Sequence, residues 1–154
     1  MTRPAIATAT FINHCVHIVN MDDIFVGRLM STDLTTVTPD TLVESAAKLM
    51  IDGVVGSVLI VEPDDTLAGI LTRTDFVHIV AGQEPKDQTP VSAYMSDDPV
   101  TISAQASVAE AADLMVESGV HHLPVVDDDA GVIGILTTTD LAAHVAGLDR
   151  SMPA

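Results

Sequence analysis

Slid against itself by 65 residues, the chain aligns Val26–Gly82 with Val91–Gly147 without a gap, and 22 of the 57 positions are identical. The matches cluster: Ala46–Ala47 with Ala111–Ala112, Leu49–Met50 with Leu114–Met115, Gly69–Thr72 with Gly134–Thr137, Thr74–Asp75 with Thr139–Asp140. A duplication of this length implies two copies of one supersecondary unit about a pseudo-twofold axis. Either copy alone would leave an apolar face in water, so the two are expected to pair. The chain divides into an N-terminal extension (1–21), repeat one (22–82), a polar linker (83–90), repeat two (91–147) and a short tail (148–154).

Each repeat carries the same element signals. Thr36–Thr38 and Thr101–Ser103 are short β-branched strands. A helix follows, with Thr41 and Glu44, or Ser107 and Glu110, predicting a capping box at its start. Val43, Ala46, Ala47 and Met50 fall at i, i+3, i+4, i+7, and Val108, Ala111, Ala112 and Met115 repeat that stripe. Gly53 and Gly119 suit the helix ends. Val58–Glu62 and Leu123–Asp127 are almost continuously apolar, as strands covered on both faces are. Turns at Pro63–Thr66 and Asp127–Gly131 lead to strands at Leu67–Thr72 and Val132–Thr137. A second helix starts near Thr74 or Thr139 and ends at Gly82 or Gly147. The predicted class is α/β (α+β), β-α-β-β-α twice.

Composition narrows the function. The formal charge is −16, from 22 carboxylates against six basic side chains, which disfavours binding to phosphodiester backbones. Two readings of the acidity stand: adaptation to a salt-rich, halophilic cytosol, and a docking face for a basic partner. The spread of acids from Asp22 to Asp149, without an acidic tail, favours the first. No apolar run reaches the ~18–20 residues of a membrane span, and no basic stretch precedes an apolar one at the N-terminus. Cys15 is the only cysteine, so no internal disulfide forms. A cytoplasmic protein is expected. Residues His14, Cys15 and His17 form only a fragment of a metal motif, and Met21 begins the repeat region cleanly.

The stretches VTPDTLVESAAKLMIDGVVGSVLIVEPDDTLAGILTRTDF and VTISAQASVAEAADLMVESGVHHLPVVDDDAGVIGILTTTDL resemble the two-copy signature of the CBS domain family, across Asp22 to Gly147. The resemblance implies a disc of two repeats (a Bateman module) with clefts that bind AMP, ADP, ATP, S-adenosylmethionine or similar ligands. It also implies a regulatory role, a homodimer of discs, and an effector protein acting in trans because no effector domain is attached.

The chemistry of the G-h-h-T-x-x-D endings supports that implication. Thr72 and Thr137 close a strand, and Asp75 and Asp140 stand three residues on, where a carboxylate can accept from ribose hydroxyls. Thr74 and Thr139, with the first amides of the helix, can hold phosphate oxygens. The plainer account, that Thr and Asp cap the second helix, holds alongside. By family position, Thr36, Val37, Thr101 and Ile102 would wall the adenine, with Val55, Gly56, Ser57, Val120, His121, His122 and Pro124. The Val and Ile residues among these could equally be core residues.

The two repeats differ where a ligand would sit. Repeat two has His121, His122 and Pro124 where repeat one has Gly56, Ser57 and Leu59, and Arg73 of repeat one matches Thr138. Arg73 is a natural anion ligand, or else a surface partner for one of the many acids. The histidines stand where family members place a phosphate-reaching basic residue. A metal site with Asp127–Asp129 is disfavoured, because those acids read as a tight turn. No Walker loop, G-x-S-x-G or paired metal motif is present, so no enzyme, metal or required cofactor is expected. The alternative to a sensor is an interaction module with empty clefts that only mediates oligomerisation or partner binding.

Overall fold

The computed structural model describes residues 21–82 and 88–148. A 3-10 turn at Met21–Asp23 leads into a short helix, α1 (Val26–Leu29). Repeat one then runs β1 (Thr36–Val37), α2 (Val43–Asp52), β2 (Ser57–Val61), β3 (Leu67–Thr72) and α3 (Arg73–Ala81). After a second 3-10 turn at Val91–Ala93, repeat two runs β4 (Ile102–Ser103), α4 (Val108–Ser118), β5 (His122–Asp127), β6 (Gly131–Thr137) and α5 (Thr138–Val145). The duplicated β-α-β-β-α order is the one the sequence predicts. In each repeat the apolar middle strand is central, parallel to the first strand and antiparallel to the third, in the orders β1-β2-β3 and β4-β5-β6. No helix of the described residues is long and apolar enough to cross a membrane.

Helix periodicity places the cores. Val43, Ala46 and Met50 of α2 bury against β2, as Val108, Ala111 and Met115 of α4 bury against β5, while Ala47 and Ala112 are half-buried. Each core also takes one fully buried residue from the other repeat's lead-in: Val91 joins the first, Val26 the second. The lead-ins are exchanged throughout. Val108 N–H donates to the Ile24 carbonyl at 2.8 Å, and Val43 N–H to that of Thr89 at 2.9 Å. Val26 N–H reaches the Ala106 carbonyl at 2.8 Å, and Val91 N–H that of Thr41 at 2.8 Å. Bridges pair Ser31 with Ile135 and Ser96 with Ile70. Every such contact recurs with one partner moved forward by 65 residues and the other back by 65. Two copies exchanging arms about a twofold axis produce that pattern. The backbone groups at the start of α2 and α4 are thereby satisfied across the interface between repeats.

One local expectation is corrected. Thr41 and Glu44 form no capping box: the residue before α2 is Leu42, which has no side-chain cap, and Thr41 Oγ1 instead accepts from Thr38 N–H at 3.2 Å. The repeat matches Leu42 with Ser107, and only Ser107 makes the reciprocal box with Glu110, at 2.7 and 3.1 Å. At the other end of α2, Gly53 is the C-cap as expected, with a right-handed backbone, and the left-handed residue is Val54 at φ 53°. Its repeat-mate Gly119 adopts φ 66° without steric penalty. A β-branched residue there is strained, and the Val54 side chain is 81% exposed, so it recovers little by packing. Val54→Gly is therefore expected to stabilise the fold by about 0.5–1 kcal/mol, a rise of roughly 2 °C in melting temperature. A drop in the calorimetric midpoint would contradict the strain.

Candidate functional site

The strand-to-helix corners are built alike. Thr72 caps α3, and the Asp75 Oδ2 accepts both its N–H, at 2.6 Å, and its hydroxyl, at 3.0 Å. Asp140 Oδ2 does the same for Thr137, at 2.8 and 2.9 Å, and Asp140 N–H donates back to Thr137 Oγ1 at 3.3 Å. The first amide of each helix is also committed: Arg73 N–H donates to the Gly56 carbonyl and Thr138 N–H to that of His121, both at 3.1 Å. The first amide of each helix is thus less available to a phosphate than the sequence suggests, since a backbone carbonyl takes it up. Thr74, Thr138 and Thr139 are exposed at the corners.

Both corners open on one continuous groove of about 820 Å³, within the ~300–1,000 Å³ usual for small-molecule sites. The two clefts implied by the resemblance run together here. Every lining residue except Leu59 has its repeat-mate in the lining as well, so the groove is centred on the pseudo-twofold axis. It brings together Val55, Gly56, Ser57, Thr72, Arg73, Thr74 and Asp75 from repeat one with Val120, His121, His122, Thr137, Thr138, Thr139 and Asp140 from repeat two. Five candidates lie elsewhere. Val37, Ile102 and Pro124 are buried in the packed interior, and Thr36 and Thr101 are not in the lining. They belong to strands whose apolar side chains are taken up by the core. The sequence reading missed Ser31, Asp33, Leu34 and Thr35 and their mates Ser96, Asp98, Pro99 and Val100. The identical pairs Ser31/Ser96 and Asp33/Asp98 were the available signal, but only the exchanged lead-ins carry them to the groove.

The groove is symmetric in acids and asymmetric in bases. Asp33, Asp75, Asp98 and Asp140 form two mated pairs, whereas Arg73, His121 and His122 have no basic mates. His122 faces Gly56 so closely that a side-chain carbon on that glycine would stand 2.8 Å from its Nε2, and 4.0 Å from Arg73 Nε. Burial, and then the charges of His121 and Arg73, hold the His122 imidazole below its ordinary range, with Asp140 acting in the opposite direction. The unfolded chain then takes up a proton near pH 6.5 that the folded chain resists. Above that pH both states are neutral and nothing is lost; as the pH falls towards the folded value, stability falls. Wild-type protein is expected to lose more stability than His122→Ser between about pH 7.5 and about pH 5.5. Parallel urea-midpoint profiles would contradict this. Among the described residues no group of three His, Cys, Asp or Glu side chains is placed to hold a metal ion. His14, Cys15 and His17 lie outside the described residues.

A duplicated half-fold closed about a twofold, with a ligand-sized groove on its axis, defines a class of tandem-repeat modules. The CBS domain family profile matches residues 26–82 and 91–147, and the chain belongs to that family. It is similar to protein MK0525 of Methanopyrus kandleri, 37% identical over 123 residues, covering 79% of this chain and 62% of that one. The CBS domain pair of protein MJ0100, solved in complex with 5′-methylthioadenosine and S-adenosyl-L-methionine, superposes with a TM-score of 0.73 at 25% identity, covering 80% of this chain and 96% of that one. CBSX2, solved in complex with AMP, superposes with a TM-score of 0.70 at 26% identity, covering 80% and 97%. The chain is thus similar to pairs that bind adenosine-containing ligands.

Proposed function

We propose that this protein is a regulatory sensor that binds an adenine nucleotide or derivative (AMP, ADP, ATP or S-adenosylmethionine) in the axial groove and catalyses nothing. One observation carries the reading: two strand-to-helix corners, each with a threonine hydroxyl and a carboxylate, face one groove of ligand size. Because the groove draws its walls from both repeats, a ligand there favours one relative setting of the two. Exposed apolar side chains recur at mated helix positions, Ile51 with Val116 and Val80 with Val145, which favours a homodimer of modules. An effector protein in a cytoplasmic setting would read the change. The test is a thermal-shift series with AMP, ADP, ATP, adenosine, 5′-methylthioadenosine and S-adenosylmethionine at low and high salt. A ligand at 100 times its dissociation constant adds about 2.7 kcal/mol. An unchanged melting temperature with all six ends the sensor reading and leaves an interaction module.

A further inference from the structure

The asymmetry of the groove says more than its outline. Two mated corners suggest two equivalent ligands, but the bases do not follow the twofold. Arg73 stands at the start of α3, and its place in repeat two is taken by Thr138. His122 stands at the start of β5, and its place in repeat one is taken by Ser57, with Gly56 beside it. The two bases come from opposite repeats and converge on Gly56, which has no side chain to separate them. In a chain of 22 carboxylates, no carboxylate of the described residues pairs with Arg73. An exposed guanidinium with no ion pair among the described residues, beside a half-buried imidazole in a concave wall, is arranged for an anion that comes from outside. Its remaining surroundings are acidic: Asp33, Asp75, Asp98 and Asp140 line the same groove. One fixed cation among four carboxylates accommodates one anionic group and repels a chain of them.

We infer that the groove takes one ligand per chain, a nucleoside bearing a single anionic group, seated between Arg73 and His122 across the pseudo-twofold axis. This rests on the nucleotide reading above and narrows it. A second anion in the mated position would find Thr138 and Ser57 instead of bases, and would lie close to the first. Half occupancy follows from that charge pattern. Polyphosphates are disfavoured because their outer phosphates meet Asp33 or Asp98 with no counter-charge. The groups facing His122 are His121 just before β5, Arg73 from α3 and Asp140 from α5. An anion seated there favours the imidazolium, so binding takes up a proton and tightens as the pH falls.

Isothermal titration of the full chain with AMP, ATP and adenosine, in magnesium-free buffer, tests the inference. AMP is expected to bind with one site per chain and about tenfold or more tighter than ATP. Arg73→Gln is expected to weaken AMP by about tenfold or more, and adenosine by less than about threefold. Between about pH 7.5 and about pH 6, the ratio of wild-type to His122→Ser affinity for AMP is expected to rise; the titration of the phosphate itself cancels in that ratio. Two AMP per chain, ATP binding as tightly as AMP, or Arg73→Gln weakening AMP and adenosine equally would each overturn the single-anion seat while leaving a nucleotide sensor. Failure of all three compounds to bind would overturn this inference, and the sensor reading would then rest on the three remaining ligands of the thermal-shift series. Circular dichroism and the urea midpoint of each variant confirm that it is folded.

Discussion

Gly69→Val is expected to unfold at a clearly lower urea concentration than the parent, losing about 2–4 kcal/mol. The cause is the exchanged arm. A side-chain carbon on Gly69 would stand 2.7 Å from Met95 Sδ and 2.7 Å from the Ser96 carbonyl oxygen. The methionine can swing aside; the carbonyl cannot, because Ser96 and Ile70 exchange both backbone hydrogen bonds, at 3.0 and 3.1 Å. Accommodation therefore means lifting the arm from β3, which exposes Val91, a fully buried member of the first core. The mated Gly134 receives Met30 and Ser31 in the same way, so Gly134→Val is expected to behave alike. Gly119→Ala is the control: its backbone is left-handed, but nothing lies within 4 Å of an added carbon, and about 1 kcal/mol is the expected cost. A Gly69→Val protein with the midpoint of the Gly119→Ala control would mean that the arms are not held where they lie.

That arm exchange also marks where the sequence stopped being legible. The element order was readable because periodicity is local: the stripe Val43, Ala46, Met50 needs only one helix to make sense. The corners were readable because a threonine and an aspartate three residues apart cap a helix by themselves. Residues 26–35 and 91–100 carry no such periodic signal. Their place is fixed by backbone bonds to the other repeat, and no pattern within either segment encodes a partner that distant in the chain, such as Ala106 for Val26 or Ile135 for Ser31. The groove walls contributed by Asp33 and Asp98 were lost for this reason. Thr36, Thr101, Val37, Ile102 and Pro124 stay out of the lining for another reason: Val37, Ile102 and Pro124 turn their side chains into the core, and Thr36 and Thr101 stand beside them in the chain. The cap at Leu42 was misjudged because a polar residue one position away offered a plausible hydroxyl. Covalent sequence gives spacing, and only packing decides which of two adjacent residues ends the turn.

Asp140→Asn separates the two jobs that the corner carboxylates combine. As a cap, Asp140 Oδ2 accepts from the Thr137 N–H and hydroxyl, and an asparagine carbonyl oxygen can accept from the same donors. What the cap loses is charge assistance and the favourable placement of an anion at a helix start, about 1 kcal/mol together. As a ligand group the loss is larger, because hydrogen bonds from a ribose diol to a carboxylate are worth about 1.5–3 kcal/mol each and those to a neutral amide roughly half that. The inferred seat runs across the axis from Arg73 to His122, which feels the charge of Asp140, so the sugar is assigned to the corner of repeat two. Asp75 stands two residues from Arg73 at the same helix start and is left aside. Asp140→Asn is therefore expected to weaken AMP by about tenfold or more while moving the urea midpoint only slightly. Asp75→Asn is expected to show the same small stability change and less than about a threefold loss of AMP affinity. Equal losses at both corners would indicate two seats in place of one. Unchanged affinity in both variants, with AMP still bound, would place the ribose away from the corners altogether.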